Sequence, residues 1–145
     1  AINIIPDRNF TPGKQDQRLC NLYDIVERAR ERDWPIAIGT EMNSPGLRFV
    51  DDFSAEELAP VVEDFRRGAR ILYAHTWLQR KASLGYLSEW AMAMFDNTMA
   101  KNEFYHSLGK ALNPSSPRHL LGIDTSWTPE AIEHLVHKGS ETKTT

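Results

Sequence analysis

Two short apolar runs, Ile2-Asn3-Ile4-Ile5 and Ile36-Ala37-Ile38-Gly39, bracket one amphipathic stretch, and this spacing constrains the fold more than any other feature of the chain. Residues 16–33 place Leu19, Leu22, Tyr23, Val26 and Ala29 on one stripe at helical spacing, with Glu27, Arg28, Arg30, Glu31 and Arg32 toward water. Pro6 ends the first run, and Pro35 stops the helix from continuing past Trp34. Strand, helix, strand in this order is a βαβ unit. Its strands should be parallel and its crossover right-handed.

Several helices should follow. Ser54 and Glu57 have the spacing of a capping box. They would open a helix with Leu58, Val61, Val62 and Phe65 on its buried stripe, unless Pro60 delays its start. Gly68 leaves two readings open. Arg66-Arg67-Gly68 resembles a helix end, which would make Arg70–His75 a third strand. The stripe Phe65, Ala69, Leu72, Thr76 instead runs straight through the glycine, whose cost in mid-helix is only ~1 kcal/mol, and it tips the balance toward continuous helix. Ser88 should cap a helix over 89–112, with Ala91, Phe95, Met99, Leu108 and Leu112 on its apolar face. Asn113–Pro117 breaks the chain, and residues 119–123 are a late strand or an irregular apolar segment. Thr128-Pro129-Glu130 opens a last helix that Gly139 should close. The expected fold class is α/β: a βαβ unit with parallel strands followed by several helices, as part of a (β/α) barrel. Residues 1–139 form one α/β domain or the C-terminal piece of a barrel, and residues 140–145 a disordered tail.

Composition narrows the partners. In 145 residues, 41% hydrophobic and 26% charged content supports one packed core. A formal net charge of −3 without a basic stripe argues against nucleic acid. No apolar run approaches the ~20 residues of a membrane span, and no signal-like start is present. Cys20 is the only cysteine, so an intrachain disulfide is impossible and a reducing, cytoplasmic setting is the expectation. The chain begins at Ala1 and runs directly into a core-type strand. The expectation is the C-terminal part of a longer protein, the alternative a short protein that has lost its Met. Open strand edges, or the Trp/Met-rich segment 84–99, should then drive association into a homo-oligomer or with the remainder of a longer chain.

The two strand ends echo each other. Ile4-Ile5-Pro6-Asp7-Arg8-Asn9 and Ile38-Gly39-Thr40-Glu41-Met42-Asn43 both pass from apolar residues to acid-x-Asn. Parallel strands send both loops out at one edge, where barrels and open parallel sheets bind ligands. Asp7 and Glu41 are therefore candidates for catalysis or for holding Mg²⁺, Mn²⁺ or Zn²⁺, and Arg8, Asn9, Asn43 and Arg48 for binding a small polar substrate. Without metal, one carboxylate would act as general base while Arg8 or Arg48 grips an anion. Two such carboxylates would repel unless a cation, Arg8 or water lies between them. The same step along the chain reaches His75, a third metal candidate if residues 70–75 are strand and a coincidence if they are helix. Asp124 is a further candidate. Each has a plainer reading. Asp7 and Asn9 serve as turn formers, His75 as a satisfied interior histidine, and Asp51-Asp52 as a solvated pair ahead of a helix. His106, His119, His134 and His137 form no convincing cluster. Met92, Met94 and Met99 with Trp90 and Phe95 belong to a core or an interface. Phosphate-loop, dinucleotide-glycine, Cys-x-x-Cys, His-Glu-x-x-His and Gly-x-Ser-x-Gly motifs are all missing.

Asp7-Arg8-Asn9 after a strand, followed by Gly39-Thr40-Glu41-Met42-Asn43-Ser44-Pro45-Gly46, resembles an uncharacterised bacterial family of PHP-like hydrolase barrels over roughly residues 2–80. The resemblance implies a distorted (β/α) barrel that binds divalent metals at its carboxyl end and hydrolyses phosphoesters. This chain would supply its later strands. Where such enzymes carry a late Gly-Ser-Asp-x-His type motif, this chain has Glu41 in place of Asp and Asn43 in place of His. The early His-x-His motifs would lie upstream. The functional expectation is part of a metal-dependent hydrolase or isomerase acting on a small polar or phosphorylated substrate. The alternative is a non-catalytic α/β module for ligand binding or oligomerisation.

Overall fold

The computed structural model describes residues 1–41, 43–46, 51–112 and 122–141, with backbone alone for Asp7 and residues 139–141. Over these residues the protein is mixed α/β and mostly helical, with one two-stranded parallel sheet. The chain divides into two compact units, Ala1–Ala69 and Arg70–Thr145, with the boundary inside one helix.

The first unit is the βαβ unit. Strand β1 (Ile2–Ile4) pairs in parallel with β2 (Ile36–Ile38), Ile2 opposite Ile36 and Ile4 opposite Ile38. The ladder extends through Ile2 N–H to Pro35 O at 3.0 Å and Gly39 N–H to Ile4 O at 2.8 Å. Between the strands runs α1 (Gln17–Glu31), burying the stripe Leu19, Leu22, Val26 and Ala29. Asp16 caps it, its carboxylate accepting from the Arg18 and Leu19 amides. At its far end Asp33 takes a left-handed conformation (φ 51°), while Trp34 N–H reaches Ala29 O and Asp33 N–H reaches Arg30 O. This Schellman-type ending satisfies the last carbonyls and turns the chain into Pro35 and β2.

Helix α2 (Val62–Ala82) is continuous, so residues 70–75 are helix and not a third strand. Gly68 explains the ambiguity of the sequence. A Cβ there would lie 1.8 Å from Ile36 O, so the glycine marks the place where α2 touches the backbone of β2, not a helix end. The expected Ser54–Glu57 capping box does not form. Ser54 turns its amide and hydroxyl onto Asp52 Oδ1, a 3-10 turn covers Glu56–Leu58, and α2 begins only after Pro60. Leu58, Val61 and Phe65 join Ile4, Phe10, Ile36 and the α1 stripe in the core of this unit. Arg30 faces water as expected, its side chain half exposed, and from there forks onto Asp64 at 2.8 and 2.6 Å and donates to Pro60 O. The Asp64 partner raises the Arg30 pKa further above its ordinary value, which burial opposes.

The second unit is helical. After α2 come α3 (Glu89–Met94), α4 (Thr98–Ala111) and α5 (Pro129–Glu141). The single helix expected over 89–112 is two. Phe95 is extended (φ −123°, ψ 122°), and Asn97 caps α4 by accepting from Ala100 N–H at 2.8 Å. Asn97 competes for a backbone amide in this way, which is why such residues favour caps over helix interiors. The break rephases the apolar stripe: Phe104, Tyr105 and Leu108 are buried, and Met99 is exposed. Ser88 caps α3 as expected, and Thr128 Oγ1 accepts from Ala131 N–H at the start of α5. α5 does not stop at Gly139 but runs to Glu141, so the expected tail at 140–145 begins with helical backbone; residues 142–145 lie outside the described residues. The core is aromatic: Trp90 Nε1–H donates to Trp127 O at 2.8 Å, and Tyr105 O–H donates to Leu84 O at 2.7 Å. Gly109 lets α4 approach α2, since a Cβ there would lie 2.0 Å from Arg70 O.

Candidate functional site

Parallel pairing sends the chain out of β1 and β2 at the same sheet edge. After β1, Ile5 leads into a 3-10 turn over Pro6–Arg8, with Arg8 in its last turn. Asn9 Nδ2 donates back to Ile5 O at 2.6 Å. That bond makes Asn9 a turn former, the plainer of its two readings. After β2, Gly39 passes close to β1, where a Cβ would stand 2.9 Å from Asn3 Nδ2. The chain then reaches Thr40 and Glu41.

The two loops meet through one ion pair. Arg8 Nε donates to Glu41 Oε2 at 2.9 Å, with the side chains 45% and 36% exposed. Asn43 Nδ2 donates to the other oxygen, Glu41 Oε1, and Ser44 O–H donates to Asn43 Oδ1 at 3.4 Å. Both Glu41 oxygens are therefore engaged by the chain itself. A pair this exposed contributes only ~0.2–1 kcal/mol to stability, so an incoming anion can compete for the guanidinium at little cost.

The remaining candidates fall elsewhere. The Asp7 side chain, Met42 and Arg48 lie outside the described residues, so the expected Asp7–Glu41 carboxylate pair does too. His75 sits on α2 in the second unit, where its Nδ1 accepts from Tyr86 N–H at 2.9 Å. With residues 70–75 helical, the regular spacing of Asp7, Glu41 and His75 loses its meaning, and His75 has the geometry of a satisfied structural histidine. Asp124 closes its own turn, accepting from the Ser126 amide and hydroxyl, and the hydroxyl bond above all lowers its pKa. Among the described residues, no three of His, Cys, Asp and Glu gather where they could hold a metal ion.

No family model, curated protein or solved structure matches the chain. The site therefore rests on its own geometry.

Two features were not read from the sequence. Asp51, expected to be solvated, is buried at 8% exposure. Burying a carboxylate is costly without partners, and the placement of Asp51-Asp52 between the apolar Val50 and Phe53 was the available signal. The other feature is apolar. Ile38 at the end of β2, Phe53, Val62 and Phe65 line a cavity, and the lone Phe53 between polar residues was its only trace in the sequence.

Proposed function

We propose that the edge following β1 and β2 is this chain's share of a polar active site, in an enzyme of the hydrolase or isomerase kind acting on a small polar or phosphorylated substrate. The observation that carries the reading is the Arg8–Glu41 pair, which joins the loops leaving two parallel strands. The βαβ unit is read as part of a (β/α) barrel, and the PHP-like resemblance of residues 7–9 and 39–46 supports the same assignment. The described donor set does not fit a metal centre: Glu41 has both oxygens engaged, and no third ligating side chain lies beside it. The chemistry is therefore derived from the chain's own groups. In the resting arrangement Glu41 occupies Arg8. A phosphate or carboxylate on a substrate takes its place, since a guanidinium binds such groups by paired hydrogen bonds. Glu41, released beside the bound substrate, can then accept a proton as general base.

The exchange predicts opposite effects for two variants, tested with inorganic phosphate by following side-chain guanidinium signals in NMR titrations. Glu41→Gln removes the competing charge and should tighten phosphate by roughly threefold, the scale of one exposed charge pair. Arg8→Gln should remove the response. Phosphate affinity unchanged in both would refute the exchange. Manganese content of the purified protein, compared between wild type and Glu41→Gln, tests the metal-dependent form of the reading. Unchanged content in Glu41→Gln would remove Glu41 as a ligand.

A second reading is favoured by one observation. Leu87, Met92, Met94 and Met99 are exposed in the second unit, Leu87 at 79% and Met92 at 66%. Exposed methionines form adaptable contact surfaces, and a non-catalytic partner-binding or oligomerising module would use them. Sedimentation of the wild type against Met92→Lys discriminates. Association lost in the variant supports this reading, and monomers in both cases remove it. Among the described residues no helix is long and apolar enough to cross a membrane.

A further inference from the structure

Beside the end of β2 the first unit leaves a cavity of ≈ 350 Å³. Its wall is Ile38, Phe53, Val62, Phe65 and Ala69, and among the described residues the only charged side chain lining it is Arg66. Phe53 stands edge-on to Phe65, with centroids 6.3 Å apart and planes at 72°, so the aromatic wall is already packed and does not need to collapse to fill the space. Ile38, Phe53 and Val62 remain half-buried although each is a strongly apolar residue next to a finished core. Binding pockets have this character: a few hundred cubic ångströms, mostly apolar, with a small number of polar groups that fix the ligand's orientation.

We propose that this cavity binds a small organic anion with an apolar body, such as a medium-chain or aryl carboxylate. The body lies against Phe53, Val62 and Phe65, and the charged end meets Arg66. The lining itself selects the occupant. An apolar wall selects an alkyl or aryl group, and a single guanidinium selects a single negative charge over a neutral or cationic end. Arg66 is not idle while it waits. It pairs with Glu63 one turn earlier on α2, and both side chains are more than half exposed. The ligand's charge must therefore compete with Glu63, which gives the proposal a variant of each sign. The site is independent of the Arg8–Glu41 reading, because none of its lining residues belongs to that pair.

The test is titration of the full chain with octanoate and, separately, with 1-octanol, followed by NMR shifts of the Phe53 and Val62 groups. Octanoate should bind the wild type more tightly than octanol. Arg66→Gln should weaken octanoate by roughly threefold and leave octanol unchanged, and Glu63→Gln should strengthen octanoate by a similar factor. Ala69→Leu, a helix-compatible change at an exposed position, should remove both ligands by filling the space while circular dichroism stays that of the wild type. Absence of octanoate binding to the wild type, or binding that survives Ala69→Leu, would overturn the site. Equal binding of octanoate and octanol, with Arg66→Gln affecting neither, would overturn the anionic end.

Discussion

Replacing Gly68 by alanine sets two physical effects against each other, and the structure decides the sign. Alanine is the better helix former, and at an unconstrained mid-helix position Gly→Ala stabilises by up to ~1 kcal/mol. At Gly68 the new Cβ would stand 1.8 Å from Ile36 O, 2.7 Å from Ile36 C and 3.0 Å from Ile36 N. Non-bonded heavy atoms prefer about 3.5 Å, so the helix and the strand must part by roughly 1.7 Å. The obstacle is backbone, and it belongs to the strand residue paired with Ile2, so no side chain can swing aside to relieve it. Overpacking costs ~1–3 kcal/mol where side chains can adjust, and a rigid carbonyl puts this case at the upper end or above it. The net expectation for Gly68→Ala is a loss of about 2 kcal/mol. Urea unfolding should lose about 1 M in its midpoint. Amide exchange at Ile2 and Gly39, which donate to Pro35 O and Ile4 O, should quicken by about thirtyfold. An unchanged or raised midpoint would mean that propensity governs the position and that the contact between α2 and β2 is not what demands glycine.

Two further outcomes concern pH. The buried Tyr105 phenol has its pKa raised by burial, with Tyr86 adding to it, so the folded state keeps a proton that the unfolded chain releases near 10.0. The corresponding stability is present below that value and lost as pH rises from it through the higher folded-state pKa; Tyr105→Phe, which also forfeits the bond to Leu84 O, should be less stable at neutral pH by ~1–3 kcal/mol and show a shallower alkaline decline in chemical denaturation. Parallel alkaline declines in the two proteins would exclude Tyr105 as their source. At the acid end, the hydrogen bond from Arg18 is the largest cause of a lowered Asp16 pKa, with Leu19 N–H and Thr11 adding to it against desolvation. A depressed carboxylate stabilises above its ordinary value of 3.8 and loses that contribution as pH falls below it. Asp16→Asn keeps a capping oxygen but cannot titrate, so its acid unfolding limb should be flatter than that of the wild type, and an unaltered limb would contradict the assignment.

The parts of the fold legible in the sequence were those where one local signal dominates. Isoleucine runs bounded by proline, and a stripe of five apolar residues at helical spacing, specify β1, α1 and β2, and the parallel pairing follows from their order. Legibility failed where a signal served a distant partner. Gly68 resembled a terminator because sequence cannot show that Ile36 O lies against it. Ser54 resembled a cap, yet Asp52 two residues earlier offers its oxygen first. The break at Phe95 turned on the capping strength of Asn97, which an otherwise continuous apolar pattern concealed. At the candidate site, phasing predicted that the two loops would share an edge, and the Arg8–Glu41 pair joins them. Side-chain allegiance was less legible. Asn9 serves Ile5 O and Asn43 serves Glu41, because a short amide satisfies the nearest backbone or carboxylate before it can face a substrate.

The register that places Ile2 opposite Ile36 also sets the order in which the protein can acquire its structure. Neither strand can pair with a neighbour in sequence, as a hairpin does within microseconds. The chain must first form α1, bring it across, and close the loop it creates, all for strands of three residues each. In the second unit α3, α4 and α5 are helices whose hydrogen bonds join near neighbours in sequence, local contacts of the kind that condense quickly. The sheet is thus a late event in its own unit, and substitutions along it, at Asn3 or Ala37, should act mainly on the rate of unfolding while leaving the rate of folding nearly untouched.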